Sequence, residues 1–157
     1  DGSHLKKITH NEEYYIGHIE WSPNSSQIVF TYNYNLHTVN VNGTGLRKIS
    51  DEMLQLGWAS WSPDGQQILF VAYKDYPNGE IFSIRPDGSQ LKRLTYNDGN
   101  DSSPVWSPDG RRIAFQSERN GMSDQIYVML KDGSEQRPIT DWEGWCSEPR
   151  WCPVPNR

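Results

Sequence analysis

A chain of 157 residues is long enough to form one domain with a real core. Only 34% of it is hydrophobic and its mean hydropathy is −0.81, yet it carries 7 Trp, 8 Tyr and 4 Phe, an aromatic load that disordered chains lack. A formal charge of −5 without long basic runs argues against nucleic acid or an anionic membrane surface as partner, and no apolar stretch nears the ~20 residues of a spanning helix.

Taken in order, the chain opens on Asp1-Gly2-Ser3, which returns as Asp87-Gly88-Ser89 and Asp132-Gly133-Ser134. It therefore reads as native repeat sequence, from a processed or truncated chain. Leu5-Lys6-Lys7-Ile8-Thr9 alternates apolar and polar as a half-buried strand does, and closes a partial repeat over 1–20. Four tryptophans then mark a period: Trp21, Trp61, Trp106 and Trp151 stand 40, 45 and 45 residues apart. Two of them open the pentapeptide W-S-P-D-G, at 61–65 and 106–110; Trp21-Ser22-Pro23-Asn24 and Trp151-Cys152-Pro153 are weaker copies. A period of this length with strand-like content predicts propeller blades.

Repeat one, 21–60, holds the β-branched run Gln27-Ile28-Val29-Phe30-Thr31, then Thr38-Val39-Asn40-Val41, a hairpin turn on Asn42-Gly43, and Leu46–Ser50. Its first turn lacks the glycine, reading Asn24-Ser25, and it has the shortest connection between strands. Repeat two, 61–105, places strands at Gln67–Val71, Glu80–Ile84 and Leu91–Thr95, with Pro77-Asn78-Gly79 separating the first two. Repeat three, 106–150, repeats the scheme with Ile113–Phe115, Gln125–Met129 and Arg137–Thr140. Pro138, which offers no N–H to a ladder, predicts a sheet edge for that last strand. A fourth strand ends at each anchor tryptophan (Ile19–Trp21, Ala59–Trp61, Pro104–Trp106, Pro149–Trp151) and is expected innermost. A partial repeat over 151–157 ends the chain. No segment shows helical periodicity.

The recurring residues have structural work to do. Ser-Pro-Asp-Gly makes a tight turn, with proline presetting φ and glycine supplying φ > 0. The tryptophan is large enough to fill the wedge between neighbouring blades. The succession W-S-P-D-G-x-x-I-x-F, I-Y-V-M-x-x-D-G-S, R-x-I-T resembles the TolB-type, WD-like propeller repeat along essentially the whole chain. The resemblance implies an all-β propeller of four-stranded antiparallel blades, three full repeats with partial first and last ones. It also implies export to the periplasm or beyond, as a non-catalytic protein-binding platform. Similar propellers occur in ectodomains of bacterial sensors and as gates of serine peptidases, so an accessory role to a hydrolase or sensor kinase domain is an alternative. Three blades leave pairing edges open, which reads as a piece of a longer propeller, or as a ring completed by further copies.

Chemistry is sparse. No P-loop, nucleophile elbow, dinucleotide fingerprint or zinc-spaced His/Cys set is present, and His4, His10, His18 and His37 form no metal-spaced pair. No catalytic residue is expected. Asp98, Asp101 and Glu148 precede inner strands, where a ring of carboxylates facing the channel would suit Ca²⁺; capping of their own loops is the competing role, and no other cofactor is expected. Cys146 and Cys152 fit either a disulfide, at home in an exported protein, or two free thiols. The functional signal is aromatic. The loops between blades carry Tyr14, Tyr15, Leu54, Trp58, Tyr96, Trp142 and Trp145, all expected on one face of the disc. Turns do not need tryptophan; a rim of aromatics suits a protein interface or stacking on a sugar. Trp58 is also a candidate for the core.

Overall fold

The computed structural model describes residues 7, 16–50, 56–75, 78–119, 124–141, 144 and 146–152. Among these residues twelve strands form three antiparallel sheets of four. The first sheet contains β1 (Ile16–Trp21), β2 (Gln27–Tyr32), β3 (Asn35–Asn40) and β4 (Arg47–Lys48). The second contains β5 (Leu56–Trp61), β6 (Ile68–Asp75), β7 (Asn78–Ile84) and β8 (Lys92–Arg93). The third contains β9 (Asp101–Trp106), β10 (Arg112–Ser117), β11 (Gln125–Leu130) and β12 (Arg137–Pro138). In each sheet the spatial order follows the sequence order, so the sheets are propeller blades with the tryptophan-ending strand at one edge. Pro138 stands in β12, the opposite edge of its blade, where a missing N–H costs no ladder bond.

The S-P-D-G turn owes its recurrence to hydrogen bonds as well as backbone shape. In the second blade the Ser62 hydroxyl donates to Asp64 Oδ1 (2.6 Å) and accepts from the Gln67 N–H (2.9 Å), while Asp64 Oδ1 also takes the Gln66 N–H. The third blade repeats this with Ser107, Asp109, Arg111 and Arg112. In the first blade Asn24 replaces the aspartate and keeps the same bonds, and Ser25 adopts φ 56° where the other turns use Gly65 and Gly110. A serine can hold that conformation because three side-chain bonds to Asn24 Oδ1 fasten the turn around it.

Packing follows from stacking the blades face to face. Val29, Leu36 and Ile49 of the first blade meet Trp61, Ile68, Phe70 and Phe82 of the second. Leu69, Ile81 and Leu94 on the second blade's other face meet Trp106, Ile113, Phe115 and Met129 of the third. The middle blade is thus covered on both sides, which is why Ile68-Leu69-Phe70-Val71-Ala72 is an unbroken apolar run with every residue fully buried. The anchor tryptophans show the same logic. Trp61 and Trp106, wedged between blades, are 6% and 8% exposed, whereas Trp21 is 56% exposed because no described blade lies on its outer side. Gly133 (φ 88°) lets the D-G-S turn touch the preceding blade; a Cβ there would lie 2.8 Å from the Leu94 carbonyl oxygen.

The strands differ from expectation in three places. β2 and β3 are longer and joined by only Asn33 and Tyr34, both at positive φ (45° and 60°), the mirror-image turn that suits hairpin twist. β7 begins at Asn78, inside the stretch expected to be loop. Pro149-Arg150-Trp151, expected as an inner strand, is not one, because no strand pairs with it among the described residues; it is held instead by Trp151 Nε1 donating to the Val105 carbonyl (3.3 Å). The strand expected at Leu5–Thr9 lies outside the described residues apart from Lys7.

Candidate functional site

The innermost strands carry an irregularity that repeats with the tryptophan period. In β1 the pairing with β2 slips between Gly17 and Ile19; in β5 it slips between Gly57 and Ser60; in β9 one extra residue falls between Ser102 and Val105. Each is a β-bulge three residues before the anchor tryptophan, and a bulge re-aims the side chain it carries. The residues at that position are His18, Trp58, Ser103 and Glu148, and the last three adopt φ 44°, 51° and 51°. Positive φ is uncommon outside glycine and costly for a large side chain such as tryptophan, so the surrounding ladders must hold it in place.

These bulges line a pocket of about 320 Å³ between the inner strands. Three layers form it, each with one residue from every repeat. The bulge layer is His18, Trp58, Ser103 and Glu148; the next is Ile19, Ala59, Pro104 and Pro149; the last is Glu20, Ser60, Val105 and Arg150. An apolar ring therefore lies between two layers of mixed chemistry. Trp58 presents a 40% exposed indole to this space.

Two side chains of β1 clamp the unpaired edge of β5. His18 Nε2 donates to the Ala59 carbonyl (2.7 Å), which fixes a proton on that nitrogen, and the Trp61 N–H donates to Glu20 Oε2 (2.8 Å). Edge groups that would otherwise be left open are satisfied across the blade junction. Burial pushes the Glu20 carboxyl up to about 7, with the Trp61 N–H offsetting part of the rise.

The structure sorts the expected residues. Trp58 belongs to the pocket, but from within β5 rather than from an inter-blade loop, and it is not a core residue. Tyr96 is 70% exposed yet lies apart, beside a groove of about 630 Å³ with Asn78, Asp98 and Glu118; the Arg93 guanidinium sits 4.5 Å from its ring centre. Two of the groove's amides already donate within the fold, Asn78 to the Asp98 carbonyl and Asn97 to Asp101. Tyr14, Tyr15, Leu54, Trp142 and Trp145 lie outside the described residues.

The three carboxylates do not converge. Asp101 was expected to face the channel, but it is fully buried between strands, where it accepts bonds from Ser117 Oγ (2.5 Å), Asn97 Nδ2 (2.7 Å) and Arg119 Nη2 (2.7 Å). Burial raises its carboxyl above the usual range, against the Ser117 bond and the Arg119 charge. Asp98 is exposed on the Tyr96 groove, and Glu148 alone of the three reaches the axial pocket. Among the described residues no three His, Cys, Asp or Glu side chains are grouped to hold a metal. Cys146 and Cys152 are unbonded: the Cys146 N–H is tied to the Asp124 carbonyl, and Cys152 is exposed in the copy of the W-S-P turn where serine would stand. Sequence reasoning missed His18, Glu20, Ser103 and Arg150. Reading every repeat in columns counted back from its tryptophan would have shown an apolar column flanked on both sides by columns rich in polar residues.

The family model for the TolB beta propeller domain matches residues 1–156. The chain belongs to the TolB β-propeller family. A search of curated protein sequences gives no match. Among solved structures the chain resembles TolB from Acinetobacter baumannii, at 26% identity and a TM-score of 0.75 over 90% of this chain and 36% of that one. It also resembles a putative TolB from Agrobacterium tumefaciens, at 20% identity and a TM-score of 0.72 over 85% and 51%. A chain of the nidogen/laminin complex shares the fold at 14% identity, with a TM-score of 0.71 over 86% and 51%. The chain thus spans about half or less of the length of these structures.

Proposed function

We propose that this TolB-family propeller is a non-catalytic, exported scaffold that binds another protein at the mouth of its axial pocket. The observation that supports this most is Trp58: a half-exposed indole, kept at positive φ by a bulge, at the point where residues from four repeats converge. A rigid aromatic beside Glu148 and Arg150 is the composition of a binding hot spot, in which a few anchored residues supply most of the affinity. Recognition then needs little rearrangement, because the bulged ladders already fix the side chains. The Tyr96 groove favours a sugar less, since two of its amides are spent within the fold and Arg93 covers its ring.

The test begins with a photo-crosslinking residue in place of Trp58, and another in place of Asp109 on the turn face as control, in the native source. A protein captured at position 58 and not at 109 is then purified and titrated against the wild type and Trp58→Ala. A loss of about thirtyfold in affinity with an unchanged circular dichroism spectrum is expected for a hot-spot residue. Equal capture at both positions, or equal affinity for both proteins, would refute the reading. Export is tested by fractionating the source cells.

A further inference from the structure

At the opposite end of the strands, where the S-P-D-G and D-G-S turns emerge, a crevice of about 290 Å³ lies between the second and third blades. Three cationic residues from different elements line it: Arg85 just after β7, Lys92 in β8 and Lys131 just after β11. Two carboxylates, Asp64 and Asp132, share it, but both are committed to their own turns. Asp64 takes Ser62 Oγ and the Gln66 N–H; Asp132 takes the hydroxyl and N–H of Ser134. Those bonds hold both carboxyls below the usual range, so both are ionised at neutral pH. Lys92 donates to the Asp132 backbone carbonyl (2.8 Å), while the side chains of Arg85 and Lys131 make no hydrogen bond or ion pair among the described residues. Lys131 still acts on Asp64 through space and Lys92 on Asp132, so the crevice holds three cations against two carboxylates, with the N–H donors of Arg85 and Lys131 unspent.

A second observation is independent of charge. Trp106 lines this crevice, is 8% exposed, and its Nε1 is buried with no hydrogen-bond partner among the described residues. A buried N–H without an acceptor is a costly exception in folded proteins and calls for one. The neighbouring blade junction supplies an internal comparison. There Trp61 lines a similar crevice of about 320 Å³ and its Nε1 is likewise unpartnered, but no lysine or arginine lines that crevice. Part of the difference is local: where the second blade has Gln67 with Arg85, the first has Gln27 donating to Asn40 (3.2 Å).

We infer that the crevice between the second and third blades binds a small-molecule oxyanion, phosphate or carboxylate, with Arg85 and Lys131 as its charge partners and the Trp106 indole N–H behind it. The volume suits a small molecule rather than a folded partner. Arg85 offers a fork that matches two oxygens at once, and charge-assisted bonds are the stronger kind.

The test uses the intact protein with ¹⁵N-labelled indoles. Inorganic phosphate and, separately, succinate are titrated at constant ionic strength made up with chloride, and the indole N–H signals of Trp106 and Trp61 are followed. The inference expects a saturable shift at Trp106 with at least one probe, no matching shift at Trp61, and affinity weakened by about tenfold or more in the Arg85→Gln, Lys131→Gln double variant. Both substitutions are at exposed positions, and an unchanged melting temperature checks the fold. Response to phosphate alone or to succinate alone identifies the anion class. No saturable shift with either probe, equal shifts at both tryptophans, or full affinity in the double variant would overturn it.

Discussion

Glu20 gives the sharpest handle on the blade junction. Its carboxyl titrates near 7 in the folded protein and at 4.5 in an unfolded chain, because burial penalises the charge more than the Trp61 N–H repays. The folded state therefore binds the extra proton between those values, and stability from this group is complete below 4.5 and lost as pH rises through 7. The full shift would correspond to about 3 kcal/mol, at 1.36 kcal/mol per unit. Partial solvent access at the pocket reduces this to about 1–2 kcal/mol. Glu20→Gln removes the titration while leaving an oxygen to accept the Trp61 N–H. Other groups slope the curve too: burial lowers His37, which makes stability rise with pH through its range. The informative quantity is therefore the difference between variant and wild type. Urea unfolding at pH 5, 6, 7 and 8 should show Glu20→Gln gaining on the wild type as pH rises, by about 1–2 kcal/mol at pH 8 relative to pH 5. A flat difference, or one that falls with pH, would refute the reasoning.

Other outcomes follow from the packing. Trp61→Ala should cost about 3–5 kcal/mol in urea unfolding, whereas Trp21→Ala, at the same repeat position but 56% exposed, should cost about 1 kcal/mol or less. Gly133→Ala adds a Cβ at φ 88° against the Leu94 carbonyl, and its unfolding midpoint should fall by an amount equivalent to about 1–3 kcal/mol. Arg119→Ala leaves Asp101 buried with one partner fewer; a loss of about 3 kcal/mol at pH 7 is expected, shrinking when the carboxyl is protonated at lower pH.

The blades were legible because their information is local and repeated. Pro, Asp and Gly in one turn state a backbone shape, and a tryptophan every 40 or 45 residues states where that shape recurs. Pro138 disclosed its own place at a sheet edge. The hairpin at Asn33-Tyr34 was hidden because a tyrosine stands where a glycine would have announced positive φ. The site was hidden for a related reason. Gly57 before Trp58, like Gly17 before His18, is the one local hint of a bulge, and a weak one; the extra residue itself shows only against the register of β6, which is a fact of pairing. Asp101 deceived more plainly. Its sequence neighbours look like a solvated loop, and the Arg119 and Ser117 that bury it arrive from β10 and just beyond. Loop aromatics drew attention to Trp58 for the wrong reason, and away from His18 and Glu20, whose importance comes from reaching across to β5.

That each sheet is drawn from one continuous stretch has a consequence for how the chain acquires its structure. Within a blade each strand pairs with the one made just before it, so every ladder closes a short loop and the entropy of closure stays small. Contact order is set by the blade rather than by the length of the protein, and the blades add one at a time like nearest-neighbour units in a linear array. The middle blade, with the longest strands and the apolar run from Ile68 to Ala72, is where such an array would nucleate. Its neighbours would then grow outward onto its two faces, the third blade seating Trp106 against one and the first closing over Trp61 on the other.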